Sequence, residues 1–208
     1  MKTIFKILWA VYSFFTAYAD PFERKVEKFF KWVNSYRSND EVRRRILELM
    51  QKNLLITNIW LEKRFKNYRS LKKSARRKMY RDSAALIEDF ESYRATHRLS
   101  DDELRSRMAP IVEVSVHPDD FPKLHYLYAL MGYFDPHGRF EYRESSSFSR
   151  LLVDPRKERM VGDCNQIVTL YAYMFSRAFP LTDLQIKLIP GHVCLHFKGI
   201  DIEATSGT

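Results

Sequence analysis

The sequence predicts an α+β fold, with a basic helical region over residues 1–108 and a smaller mixed domain over residues 109–208. Three observations predict it. From Asp20 to Met108 the apolar residues recur every three or four positions, the period of a helix with one buried face. After Pro110 the period changes, and Leu184–Ile189, His192–Phe197 and Ile200–Ala204 alternate as half-buried strands do. The charge divides in the same place: residues 1–110 hold 25 Lys and Arg against 14 Asp and Glu, whereas residues 111–208 hold 10 against 12. A chain of 208 residues with 45% apolar content can build one or two ordinary cores. Two cysteines in this length exclude a disulfide scaffold.

Residues 1–19 admit two readings. MKTIFK followed by ILWAVYSFFTAYA has the basic start and short apolar run of a signal peptide, with Ala17-Tyr18-Ala19 as a cleavage site. Thr3, Lys6, Ala10, Ser13 and Ala17 also form a small or polar stripe at helical spacing, opposite a face rich in aromatics. That pattern suits an amphipathic helix docked on the bundle or on a membrane surface. The run is short for a bilayer span. A retained helix fits a cytoplasmic or peripheral-membrane protein, and a cleaved one an exported protein.

Asp20-Pro21 is an N-cap followed by proline at the first helical position. The helix it opens carries Phe22, Val26, Phe29, Phe30 and Val33 on one side. Asn39-Asp40 opens the next, which the spacing carries through Trp60 to about Tyr68. Another helix spans Ser70 to about Thr96, and Ser100-Asp-Asp-Glu103 is a capping box. Lys63–Arg81 (KRFKNYRSLKKSARRKMYR) holds ten Lys and Arg and no acid. It reads either as a surface for nucleic acid or anionic lipid, or as a solvated helix face and turn with Phe65, Tyr68, Leu71 and Met79 in the core. No nucleic-acid motif accompanies it.

Ile111–Val116 alternates like a short strand, and Pro118 to Leu130 reads as a helix. Tyr133–Tyr142 places turn residues between aromatic runs, as a hairpin would. The stretch VGDCNQIVTLYAYMFS, Val161–Ser176, is the most informative. Asp163 can cap a helix running to about Arg177, which puts Cys164 in its first turn. Unpaired N–H groups and the positive dipole end favour an anion there, and a thiolate is the anion that cysteine makes. The same N–H groups suit an acyl oxyanion. The position fits a nucleophile better than a packing residue. The plainer readings are an inert buried thiol or a disulfide with Cys194.

A nucleophilic thiol needs a base. If Lys198-Gly199 forms a tight turn, Phe197 faces Ile200 and Cys194 faces Glu203. Val193, Leu195, Phe197, Ile200, Ile202 and Ala204 then share an apolar face. His192, Cys194, His196, Asp201, Glu203 and Thr205 share the other. Glu203 becomes a diagonal neighbour of His192, within reach of a long side chain, while Asp201 lies opposite His196 as a rival pair. A zinc site from Cys164, His192, Cys194 and His196 lacks the usual paired C-x-x-C geometry.

Gly-Asp-Cys opening a helix, Gly-His-Val opening a strand, and acid-x-Thr on the next strand together resemble the transglutaminase-like branch of the papain-like cysteine enzymes, over about residues 111–208. The resemblance implies a helix packed on a small antiparallel sheet and a triad of Cys164 as nucleophile, His192 as base and Glu203 as the acid orienting the imidazole. It implies acyl chemistry on an amide, whether by a peptidase, a deamidase or a transglutaminase, on a protein or peptide substrate. No metal or organic cofactor is implied. The sequence departs from the family in three ways. Glu203-Ala204-Thr205 stands where Asp-Pro-Thr is usual, Cys194 replaces an aromatic, and no glutamine lies closely upstream of Cys164. The chain stops at Thr208, where the family's sheet has further strands, so a fragment and a small sheet both fit. An inactive scaffold of this fold, binding a partner through its basic helices, is the alternative reading.

Overall fold

The structure, a computed structural model, describes residues 12, 16–33, 38–66, 70–110, 116–135, 139–144 and 147–205. It is a mixed α+β chain with a helical N-terminal region. It divides into two compact units, Met1–Arg81 and Asp82–Thr208. The readings of residues 1–11 as a helix or leader, and of Ile111–Ser115 as a strand, lie outside the described residues.

The first unit contains α1 (Pro21–Val33), α2 (Asn39–Phe65) and the opening turns of α3 (Lys73–Thr96). Asp20 caps α1 by accepting from the N–H of Phe22 at 2.7 Å. Val26, Phe29 and Phe30 of α1 are buried against Ile56 and Trp60 of α2, with Tyr18, Phe22 and Tyr80 packed around them. Helix α2 ends at Phe65 rather than near Tyr68. It is in effect two helices, because Asn53 is extended (φ −162, ψ 89) and its side chain caps the second by accepting from the N–H of Ile56 at 3.0 Å.

The second unit takes up the rest of α3, then α4 (Asp101–Met108) and α5 (Phe121–Tyr133). The division expected at 108/109 therefore falls inside this unit. The reason is aromatic packing. Phe90 of α3 is fully buried, with its ring 5.1 Å from that of Tyr126 and 5.3 Å from that of Tyr133. The Tyr133 hydroxyl donates to Asp89 at 2.7 Å, and Arg107 of α4 donates to the Tyr128 hydroxyl at 2.9 Å. The capping box at Ser100 and Glu103 is formed as the sequence indicates.

Among the described residues five short strands follow: β1 (Phe140–Tyr142), β2 (Met160–Gly162), β3 (Gln185–Ile189), β4 (His192–Phe197) and β5 (Ile200–Ile202). Strand β1 does not make a hairpin with Tyr133, which ends α5. It pairs parallel with β2 instead. The burial of Tyr133 against Phe90 and its bond to Asp89 favour the helical state there. Strands β3, β4 and β5 form an antiparallel sheet in that order. Between β2 and β3 lies α6 (Cys164–Phe175), buried over most of its length. Tyr126 on α5 donates to the Met174 carbonyl at 2.8 Å, and Tyr171 on α6 donates to the Leu130 carbonyl at 3.2 Å. These bonds fasten α6 to α5, and α6 also packs on β4.

The β4–β5 hairpin has the anticipated register, Phe197 opposite Ile200 and His196 opposite Asp201. Lys198 and Gly199 both have positive φ, 49 and 87, the requirement of a two-residue turn matched to strand twist. Val193, Leu195, Phe197, Ile200, Ile202 and Ala204 are all buried. No helix among the described residues is long and apolar enough to cross a membrane.

Candidate active site

The thiol sits where a parallel strand pair delivers the chain into α6. Gly162 ends β2 opposite Tyr142 of β1, and the Arg143 N–H donates to the Gly162 carbonyl at 2.8 Å. A Cβ at Gly162 would lie 3.0 Å from Leu151 Cγ, so glycine lets the strand end press against that side chain. Asp163 then caps α6. Its carboxylate accepts from the N–H groups of Asn165 at 2.9 Å and Gln166 at 3.3 Å. Gln166 returns the bond, its Oε1 accepting from the Asp163 N–H at 2.8 Å. This capping box is buried, and it fixes the first turn of the helix.

Cys164 is the first residue of α6 and is 8% exposed. The N–H of Cys164 is not among the groups the Asp163 cap takes. The hydroxyl of Tyr142 lies close enough to Cys164 to feel it electrostatically. Burial of that hydroxyl, followed by the proximity of Cys164, pushes Tyr142 above its ordinary value.

The second element is the polar face of the hairpin. His192 opens β4, and its Nε2 lies 2.5 Å from Glu203 Oε2. Both side chains are about a quarter exposed, at 27% and 29%. Glu203 Oε1 accepts from the N–H of Thr205 at 2.8 Å and from the Thr205 hydroxyl. Burial pushes the Glu203 carboxyl up, but the two bonds from Thr205 and the one from His192 outweigh it and hold Glu203 below the usual glutamate range. Glu203 is therefore an anion that faces the imidazole. With Nε2 so engaged, Nδ1 of His192 is the nitrogen left for a proton from a thiol.

Asp201 serves a different group. It lies 2.6 Å from His196 Nδ1 and pairs with Lys187. Lys187, then His196, holds its carboxyl below the ordinary aspartate value. His196 Nε2 also accepts from the Gly199 N–H at 3.3 Å, so both its nitrogens brace the turn. Cys194 lies between the two His–acid pairs and is buried. Burial first, then the charges of Asp201 and Glu203, push its thiol up, which makes a thiolate harder to form there. Both cysteines are free thiols.

The fold thus joins His192 to Glu203 and brings Tyr142 near Cys164. Among the described residues, no hydrogen bond links Cys164 to His192. No group of three or more His, Cys, Asp or Glu side chains that could hold a metal occurs among them either. Three roles were not read from the sequence, although Thr205 itself belongs to its acid-x-Thr motif. Tyr142 needs the parallel β1–β2 pairing to reach Cys164. Gln166 and Thr205 hold Asp163 and Glu203, and only their spacings of three and two residues hint at it. A scan against family models, a search of curated proteins and a search of solved structures gave no significant match.

Proposed function

We propose that this chain carries out cysteine-dependent acyl chemistry on amide bonds with a Cys164–His192–Glu203 triad, in a domain of transglutaminase-like type. The observation that carries the reading is the 2.5 Å contact between His192 Nε2 and Glu203 Oε2. It fixes the ring, presents Nδ1 as the proton acceptor and places a carboxylate where an imidazolium would need one.

In this mechanism His192 takes the thiol proton and Cys164 Sγ attacks the carbonyl carbon of the amide. The N–H of Cys164 at the helix tip and the Tyr142 hydroxyl hold the oxyanion. Collapse breaks the C–N bond, and the departing amine takes the proton from His192. The thioester left on Cys164 is then resolved by water or by a second amine, which are hydrolysis and transfer respectively. The substrate class is a protein or peptide amide, either backbone or side chain.

One observation favours a second reading, a catalytically silent scaffold of the same type. Among the described residues no hydrogen bond links Cys164 to His192, and the hydroxyl that feels the thiol is that of Tyr142. Alkylation by iodoacetamide at neutral pH, followed by mass spectrometry, separates the two, with Cys194 as the internal reference. An active pairing requires Cys164 to react faster than Cys194, and to slow by on the order of tenfold or more in His192→Ala. Equal rates in the wild type and His192→Ala would favour the scaffold.

A further inference from the structure

We propose that the first unit docks on an anionic phospholipid bilayer through the α1–α2 face that carries Lys25, Lys28 and Lys52 around Trp32. This inference is independent of the chemistry at Cys164. It begins from charge: Met1–Arg81 holds 21 Lys and Arg against 7 Asp and Glu, while Asp82–Thr208 holds 14 against 19. The excess of positive charge in the whole chain thus belongs to one compact unit.

The proposed surface lies outside the ten-cation run at Lys63–Arg81, where several cations are already engaged. Arg76 in that run is buried in a bond to Glu23, Lys66 is paired with Glu62, and Lys63 lies over the Trp60 ring. A denser set of open cations surrounds an indole on the α1–α2 face. A shallow groove of about 290 Å³ between α1 and α2 is lined by Lys25, Lys28, Arg45 and Lys52, with Trp32 in its wall. Arg45 is already engaged, stacking on Trp32 4.1 Å from the ring centroid and pairing with Glu41 at 2.8 Å. The one acid there, Glu48, is engaged by Arg44 at 2.6 Å. Lys25, Lys28 and Lys52 are exposed and have no acidic partner among the described residues. Three unpaired ammonium groups around an indole match a layer of phosphate headgroups over an apolar boundary, because Trp favours that interface.

The choice of a bilayer over a nucleic acid rests on the segment that leads into this unit. Residues 4–15, IFKILWAVYSFF, carry one charge and five aromatics. Such a run offers nothing to a phosphodiester strand but is an apolar anchor for lipid. The residues that follow it, Thr16 and Ala17, are bonded to the basic unit. Lys73 Nζ donates to the Thr16 carbonyl at 2.7 Å, and Arg76 donates to the Ala17 carbonyl at 2.8 Å. Stable attachment to a membrane surface takes two signals, an apolar insertion and a polybasic patch, and this unit has both in sequence.

The test is co-sedimentation of the full chain with vesicles of phosphatidylcholine with and without phosphatidylserine, at low and high salt. Binding should require phosphatidylserine and weaken with salt. Each lysine near the surface is worth roughly fivefold in partitioning, so Lys25→Gln/Lys28→Gln/Lys52→Gln should lower it by about a hundredfold. The same three positions changed to Arg should keep it. Circular dichroism checks that both variants are folded, and these exposed positions leave the core untouched. Filter binding to RNA is run in parallel. Vesicle binding indifferent to phosphatidylserine or to the glutamine variant would overturn the proposal. So would RNA binding that the glutamine variant abolishes, with no vesicle binding by the wild type.

Discussion

At the residue scale, the two acids on the hairpin's polar face make a controlled comparison. Glu203 and Asp201 are two positions apart on the same chain, and each faces a histidine, but the histidines differ in what they have left to give. His196 spends Nδ1 on Asp201 and Nε2 on the Gly199 N–H. His192 spends only Nε2 in the bonds described. Under the proposed chemistry, Glu203→Gln should leave the fold nearly intact and lower turnover by orders of magnitude, as losing a triad acid does. Asp201→Asn should change it little, since it removes surface pairs of small worth. Activity that survives the first change and collapses in the second would reverse the assignment. The pH dependence has a definite sign. Because the Glu203 carboxyl is held below its ordinary value, its contribution to stability is complete above the unfolded value near 4.3 and is lost as the pH falls through the lower folded value. Tyr142→Phe probes the other half of the site. If the hydroxyl serves the oxyanion, turnover should fall by roughly a hundredfold or more with little change in melting temperature, because Tyr142 is 46% exposed. Turnover unchanged in Tyr142→Phe would remove that role.

At the element scale, the start of α6 is the device on which the site depends. Asp163→Ala removes the acceptor for two N–H groups and should cost about 0.5–2 kcal/mol, measurable as a shift in denaturant midpoint. Asp163→Asn, which keeps the acceptor, should recover most of it. A midpoint that moves equally in both would mean the charge, not the cap, matters. The same scale shows why some elements were legible in the sequence and others were not. The β4–β5 hairpin could be read because period-two alternation and a two-residue turn constrain one another, so the neighbours of His192 and His196 followed from counting. The β1–β2 pair could not. Three residues are too few to display alternation, and the partner of Phe140 is Met160, across an irregular stretch. The boundary between units was also hidden. Helix α3 runs unbroken from Lys73 to Thr96 without Gly or Pro, and only the packing of Phe90 against Tyr126 and Tyr133 reveals that its second half belongs to the later unit.

At the scale of the whole molecule, the chain separates its reporters as well as its charge. All three tryptophans, Trp9, Trp32 and Trp60, lie in Met1–Arg81, and both cysteines lie in Asp82–Thr208. Indole fluorescence therefore reads the first unit and thiol labelling reads the second. This makes the buried pair of the first unit testable without interference. Arg76 and Glu23 are 1% and 0% exposed. The guanidinium bonds both Glu23 oxygens, at 2.7 and 2.9 Å, and also the carbonyls of Leu71 and Ala17, while the Tyr80 hydroxyl donates to Glu23 at 2.6 Å. Five bonds thus satisfy a group that would be costly to bury alone. Burial pushes the Glu23 carboxyl up, and the bonds from Arg76 and Tyr80 overcome it to leave Glu23 below the ordinary glutamate value. Arg76→Met strands that carboxylate and should destabilise the first unit by about 3–5 kcal/mol. Joining Glu23→Leu to it removes the stranded charge, so the double variant should be more stable than Arg76→Met alone. Because Glu23 is depressed, acid should act in the same direction: tryptophan-detected stability is full above about pH 4.3 and falls as the pH passes through the folded value. The Arg76→Met variant should lack that acid-labile increment. A double variant less stable than Arg76→Met would show that the pair's worth lies in packing and the Ala17 and Leu71 bonds rather than in the charge on Glu23.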